Sequence, residues 1–256
     1  MKLTYMRGPS LFTGLLAAAL LVSTLALAHG EKKKAPAPKK APSAAAVRGA
    51  GRRLSVPRDY PGIQRAVDAA APFDTVEVAA GVYTESVVLS SGQRGLVLRA
   101  PAGPEQTILQ GSGDARLITF DEVDTLTTLE GFTLRNGGPQ FDGGALYAYH
   151  SKILIRDCVF GANHTPGDGG ALALYESEAR LERSRIEGNS ARRGGGIFVG
   201  GGRLTLLATE LRGNTADLTG GGLFCDDGSV ADTTGCHFVE NAPTDLEGCA
   251  PRVGSH

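Results

Sequence analysis

The chain has 256 residues with 36 glycines, no tryptophan and two methionines, and its formal net charge is −1. Glycine at roughly twice ordinary usage but not at every third position excludes collagen and suits a turn-rich β protein better than a helical one. The charge is uneven: residues 31–53 carry eight Lys/Arg against one Glu, whereas residues 54–256 carry 16 basic and 26 acidic side chains, which argues against a nucleic-acid partner.

Residues 1–28 read as a signal peptide. Lys2 and Arg7 form a positive start, residues 11–27 an apolar run, and Ala26-Leu27-Ala28 a small-x-small cleavage site. No cysteine follows the cut to accept a lipid, and no transmembrane anchor remains after cleavage. The expected address is the periplasm, the medium or the cell surface of a bacterium. Residues 29–53, rich in Lys, Pro and Ala, have nothing to bury and read as a disordered basic linker.

The folded domain is expected over 54–256. It opens with a strand and one amphipathic helix, with Asp59 as N-cap, Pro61 in the first turn, and Ile63, Ala66, Val67 and Ala70 as the apolar stripe. That helix is expected to cover the open end of the first coil of a repeat. Short strands are expected at 75–78, 87–89, 96–98 and 107–109.

From Gly143 onward the chain repeats. Glycine pairs begin at Gly143, Gly169, Gly194 and Gly220, and Asn163, Asn189, Asn214 and Asn241 follow them at nearly constant distance. Phe160, Ile186, Leu211 and Phe238 form a third column, and Leu146, Leu172, Ile197 and Leu223 a fourth. A period near 26 residues with strand-like alternation inside each unit defines a solenoid whose units bury apolar faces only by stacking. The fold class is therefore all-β: a single-stranded, right-handed parallel β-helix of about eight coils. The asparagines, starting from Asn136, are expected at a left-handed bend with side-chain amides bonded from coil to coil. The glycine pairs mark a corner that no Cβ can enter.

The segment "IQRAVDAAAPFDTVEVAAGVYTESVVL" resembles the opening of pectate-lyase-like and pectinesterase-like β-helix proteins. The units "GGAL…FGAN" and "GGGI…IEGN" are similar to the repeats of chlamydial polymorphic outer-membrane proteins. The likeness spans about residues 54–245 and implies the fold. For function it implies several classes, because lyases, hydrolases, adhesins and structural surface proteins share that fold. Lyases of this kind use clustered carboxylates holding Ca²⁺ with an Arg or Lys base, and the hydrolases use close Asp pairs.

Four cysteines lie in the last hundred residues. Cys225 and Cys249 are nearly one coil apart and are expected to form a disulfide, with Cys236 as the rival partner. Cys158 and Cys236 share an offset three coils apart and cannot meet.

Asp142 and Asp168 stand just before glycine pairs on adjacent coils, with Arg193 next in that column. They are the candidate catalytic or Ca²⁺-binding group, weighed against ordinary turn chemistry. His150, Glu176, Gly201 and Asp227 form another column, weighed against a solvated edge. Tyr147, Tyr149, Tyr175, Phe198 and Phe224 fall in the outward phase of one strand and are the candidate ligand strip, for a glycan or a partner protein. The leading expectation is a non-catalytic exported or cell-surface binding protein with no required cofactor. A polysaccharide lyase or hydrolase using the Asp pair, or a purely structural surface protein, are the alternatives.

Overall fold

The computed structural model describes residues 51–138 and 141–249, so the expected signal peptide and nearly all of the linker lie outside the described residues. The chain winds into a parallel β-helix of about seven turns, with one sheet of eight strands and two of seven. Sheet A runs from Arg53–Val56 to Val230–Asp232, sheet B from Gly81–Tyr83 to His237–Val239, and sheet C from Val87–Leu89 to Leu246–Glu247. A short fourth sheet pairs Ser190–Arg193 with Thr215–Thr219. Arg53 opens the first strand, and Arg52 donates through its guanidinium to buried Asp74.

The sequence columns become physical stacks. Leu146, Leu172, Ile197 and Leu223 lie in register across sheet C, and Phe160, Ile186, Leu211 and Phe238 across sheet B. The first three of each stack are fully buried, and so is Leu223. Each large apolar member contributes roughly 1.5–3 kcal/mol by burial.

Most corners of the later coils follow one pattern, with Glu122-Val123, Gly131-Phe132 and Gly201-Gly202 as exceptions. A left-handed residue is followed by one whose side chain bonds to backbone. Between sheets C and A these pairs include His150-Ser151 and Glu176-Ser177, and between A and B they include Asp157-Cys158 and Arg183-Ser184. After sheet B they are Ala162-Asn163, Gly188-Asn189, Gly213-Asn214 and Glu240-Asn241.

This corrects the expected bend. The left-handed position belongs to the residue before each ladder asparagine. Asn136 (φ 56°) is in that earlier position, aligned with Ala162, and Gly137 is the residue whose N–H meets Asn163 Oδ1. The glycine pairs do close a tight corner. Gly143, Gly169, Gly194 and Gly220 have φ of 61–74°, and a Cβ on Gly144 would lie 2.0 Å from the Gly170 carbonyl oxygen.

Helix α1 (Ile63–Ala69) buries Ile63, Ala66 and Val67 and packs on the first strands, as the stripe required. Its cap differs from expectation. Gly62 is the N-cap, and the Glu85 carboxylate from a later segment accepts the Ile63 and Gln64 N–H groups at 2.8 and 3.0 Å. Asp59 instead accepts the Ser55 N–H at 3.1 Å. A carboxylate supplied from outside the helix satisfies two orphan donors at once.

At the other end Cys225 and Cys249 are disulfide-bonded, with Cα atoms 4.7 Å apart. Cys158 and Cys236 are free thiols.

Candidate functional site

Asp142 and Asp168 sit in the turn that carries the chain from sheet B to the glycine pair, and both are committed to neighbours. Asp142 Oδ1 accepts the Asp168 N–H at 2.7 Å, and Oδ2 accepts the Tyr175 hydroxyl at 2.6 Å. Asp168 is buried and takes two guanidiniums: Arg192 at 2.9 Å and Arg193 at 2.6 Å. The expected Asp142, Asp168 and Arg193 column is therefore real, but its polar atoms bond to one another. Burial, and then donation to Asp142, push the Tyr175 phenol far above its ordinary range, and the bond to Asp168 raises the Arg193 guanidinium.

The residues do not fit the Ca²⁺ site that the resemblance implies. A hard dication asks for six to eight oxygens, and here the buried carboxylate faces two cations. Among the described residues no group of three or more His, Cys, Asp or Glu is placed to hold a metal ion.

The outward aromatics form one packed row. Ring centroids are 5.6 Å apart for Tyr147–Tyr175, 5.3 Å for Tyr175–Phe198 and 5.8 Å for Phe198–Phe224. Tyr175 comes from the neighbouring outward position and leans over Ala173 and Gly200, which have no bulk to oppose it. The Arg116 guanidinium lies 4.6 Å over Tyr147, and Arg193 lies 5.0 and 5.1 Å over Phe198 and Phe224.

Phe198 was expected on the surface, and it is buried under this lid. Tyr147, Tyr175 and Phe224 keep partial exposure. Tyr149 departs from the row and packs edge-on against His150 at 4.1 Å. The His150 column is realised in its first three members, with His150 Nε2 3.3 Å from Glu176 in a polar groove at the corner between sheets C and A, but Gly228 and not Asp227 follows Gly201 there.

Two surface features were not singled out in the sequence. On sheet A the outward column Glu77, Arg99, Glu130, Arg156, Glu182 alternates in sign over five coils. Glu130 bridges Arg99 at 3.4 Å and Arg156 at 2.8 Å. The signal was available as opposite charges 26 positions apart at Glu130, Arg156 and Glu182.

On sheet B a shallow groove of about 710 Å³ crosses successive strands, with Ile108, Val159 and Gly161 in its floor and Arg135, Arg185, Glu187 and Arg212 around it. No repeated landmark of the sequence points to it, because the groove is made by the absence of a side chain.

No protein-family model, curated protein or solved structure matches this chain.

Proposed function

We propose that the protein is a non-catalytic binding scaffold, exported by a bacterium to its periplasm, surface or surroundings, that engages a glycan or a partner protein through its sheet faces. The observation that carries this reading is the commitment of Asp142, Asp168 and Arg193 to one another and to Tyr175, while the sheet B groove stays open. A general acid and base need freely exchanging protons at a site that substrate can reach. A buried carboxylate clamped by two arginines supplies neither.

The likeness of its repeats to those of chlamydial polymorphic outer-membrane proteins, and of its opening segment to pectate-lyase-like proteins, supports an exported β-helix. The leader-like residues 1–28 support the address.

The test pairs two assays on the exported chain. Immobilised protein is screened against glycans and surface proteins, and the same preparation is incubated with acidic polysaccharides and Ca²⁺. Saturable retention without new unsaturated or reducing ends is the expected result. Product release that disappears in Asp168→Asn would overturn the reading in favour of an enzyme.

A further inference from the structure

We propose that the groove on sheet B binds an extended peptide segment of a partner protein, one that carries an aliphatic residue between acidic and basic ones. This assignment rests on the scaffold reading and names its ligand and its face.

Gly161 makes the groove. Its neighbours in the outward column are Arg135 on one side and Glu187 on the other, both long, and between them the surface is empty. Glycine inside a strand weakens it, and is retained where the backbone requires it or where another group must come close.

The backbone does not require it here. Gly161 is absent from the left-handed positions, and a Cβ built on it meets nothing nearer than Glu187 at 3.8 Å, an ordinary contact. The contrast is Gly200, where a Cβ would lie 2.9 Å from the Tyr175 ring. Gly161 keeps a space open on the outside of the molecule.

The chemistry around that space selects the occupant. The Arg185 guanidinium has no carboxylate partner among the described residues, and Arg135 donates only to the neutral Gln110 side chain, at 2.7 and 3.0 Å. Glu187 likewise has no cationic partner among the described residues. Two unspent cations, Arg135 and Arg185, and two unspent anions, Glu187 and Glu105, surround a floor of Ile108 and Val159.

A polyanionic glycan would satisfy the arginines but meet Glu187 with like charge, and the groove has no aromatic ring for a sugar face to stack on. A peptide carries both signs and an aliphatic group on one strand. Its carboxylate meets Arg135 and Arg185, its aliphatic side chain enters the gap over Gly161, and its cation meets Glu187. Sheet B strands at the groove are paired on both sides, so recognition runs through side chains and not through strand addition.

The experiment measures binding of fluorescent nonapeptides to the full exported chain. The probes have a central Leu, Asp/Glu on one flank and Lys/Arg on the other, and are compared with shuffled peptides of the same composition, heparin and polygalacturonate. Patterned peptides are expected to bind, and Gly161→Leu and Arg185→Glu are each expected to weaken binding at least tenfold. Gly161→Ala is expected to leave the melting temperature unchanged or higher.

Absence of patterned-peptide binding, equal binding to Gly161→Leu, or a lowered melting temperature in Gly161→Ala would overturn the proposal. Heparin or polygalacturonate binding that Gly161→Leu abolishes would give the groove to a glycan and overturn it too. In that last case, or if ligands bind elsewhere regardless of Gly161, the scaffold reading survives. If no probe of any class binds, both fail.

Discussion

Asn189 donates its side-chain N–H to Asn214 Oδ1 at 2.9 Å, and the same oxygen accepts the Asn189 backbone N–H at 3.1 Å. The second Asn189 amide hydrogen goes to the Phe160 carbonyl at 3.0 Å, while its own oxygen serves Asn163 in the same double fashion. Every polar atom of this buried side chain has a partner. Asn189→Ala strips partners from the Phe160 carbonyl and from two Asn163 donors at once. With roughly 1–3 kcal/mol for each buried unsatisfied group, the loss is expected to be about 3–5 kcal/mol in urea unfolding. Asn241→Ala, at the half-exposed end of the ladder, should cost about a third of that. Equal losses at the two positions would contradict a ladder strengthened by burial.

The Cys225–Cys249 bond closes a loop with a sequence separation of 24, for which chain entropy gives about 3 kcal/mol. A solenoid is held by nearest-neighbour terms, so that loss should stay at one end. Reduction is expected to raise hydrogen exchange in His237–Val239 and Leu246–Glu247 while Leu146–Tyr149 keeps its protection. Uniform loss of protection along the chain would show that the bond supports the whole solenoid.

Much of this architecture was legible because a solenoid prints its geometry in the sequence. Leu172 lies beside Leu146 since the period is 26, and a separation of 24, close to one coil, was enough to bring Cys249 within reach of Cys225. The failures share a cause. Asn136 is an asparagine near the right distance, but a column is defined by strand register, which only the structure reports. Phe198 is in the outward phase and still buried, because Arg193 folds across it from the short fourth sheet, which the repeat columns do not announce. Glu85 caps a helix 22 residues before it, and no local pattern announces that.

Cys158 occupies the corner position that Ser184 fills on the next coil, and its thiol donates to the Arg156 carbonyl as the Ser184 hydroxyl does to Glu182. Burial pushes this thiol up from 9.0 to about 12. The unfolded thiol releases its proton above its ordinary range while the folded one retains it. Stability is therefore complete below about pH 9 and declines as pH rises toward 12, by roughly 1.4 kcal/mol per unit at most. Cys158→Ser should remove that slope with little change at pH 7. A slope of the same size in the serine variant would assign it to other groups.

Asp168 holds Arg192 and Arg193, and Arg193 in turn covers Phe198 and Phe224. Asp168→Ala removes the anchor and frees the lid. The expected cost is about 2–3 kcal/mol, below the value for a fully buried pair because the arginines are partly exposed. Exposure of the aromatic row should appear as increased binding of a hydrophobic dye in the native state. Unchanged dye binding together with lost stability would mean that Arg193 stays in place without Asp168.

Glu130 lies between Arg99 and Arg156 in the alternating column, and Arg156 lies between Glu130 and Glu182. An isolated ion pair recovers when its charges are exchanged. A ladder does not. Exchanging the signs of Glu130 and Arg156 restores their mutual contact but sets a lysine at 130 beside Arg99 and a glutamate at 156 beside Glu182. Glu130 is largely buried and its two bridges are 3.4 and 2.8 Å long, so Glu130→Lys is expected to cost about 1–2 kcal/mol, more than a typical exposed pair. The double variant Glu130→Lys/Arg156→Glu should remain at least about 1 kcal/mol below the wild type. Full recovery in the double variant, measured as a thermodynamic cycle in urea, would show that the column acts as separate pairs and does not fix the register of the coils.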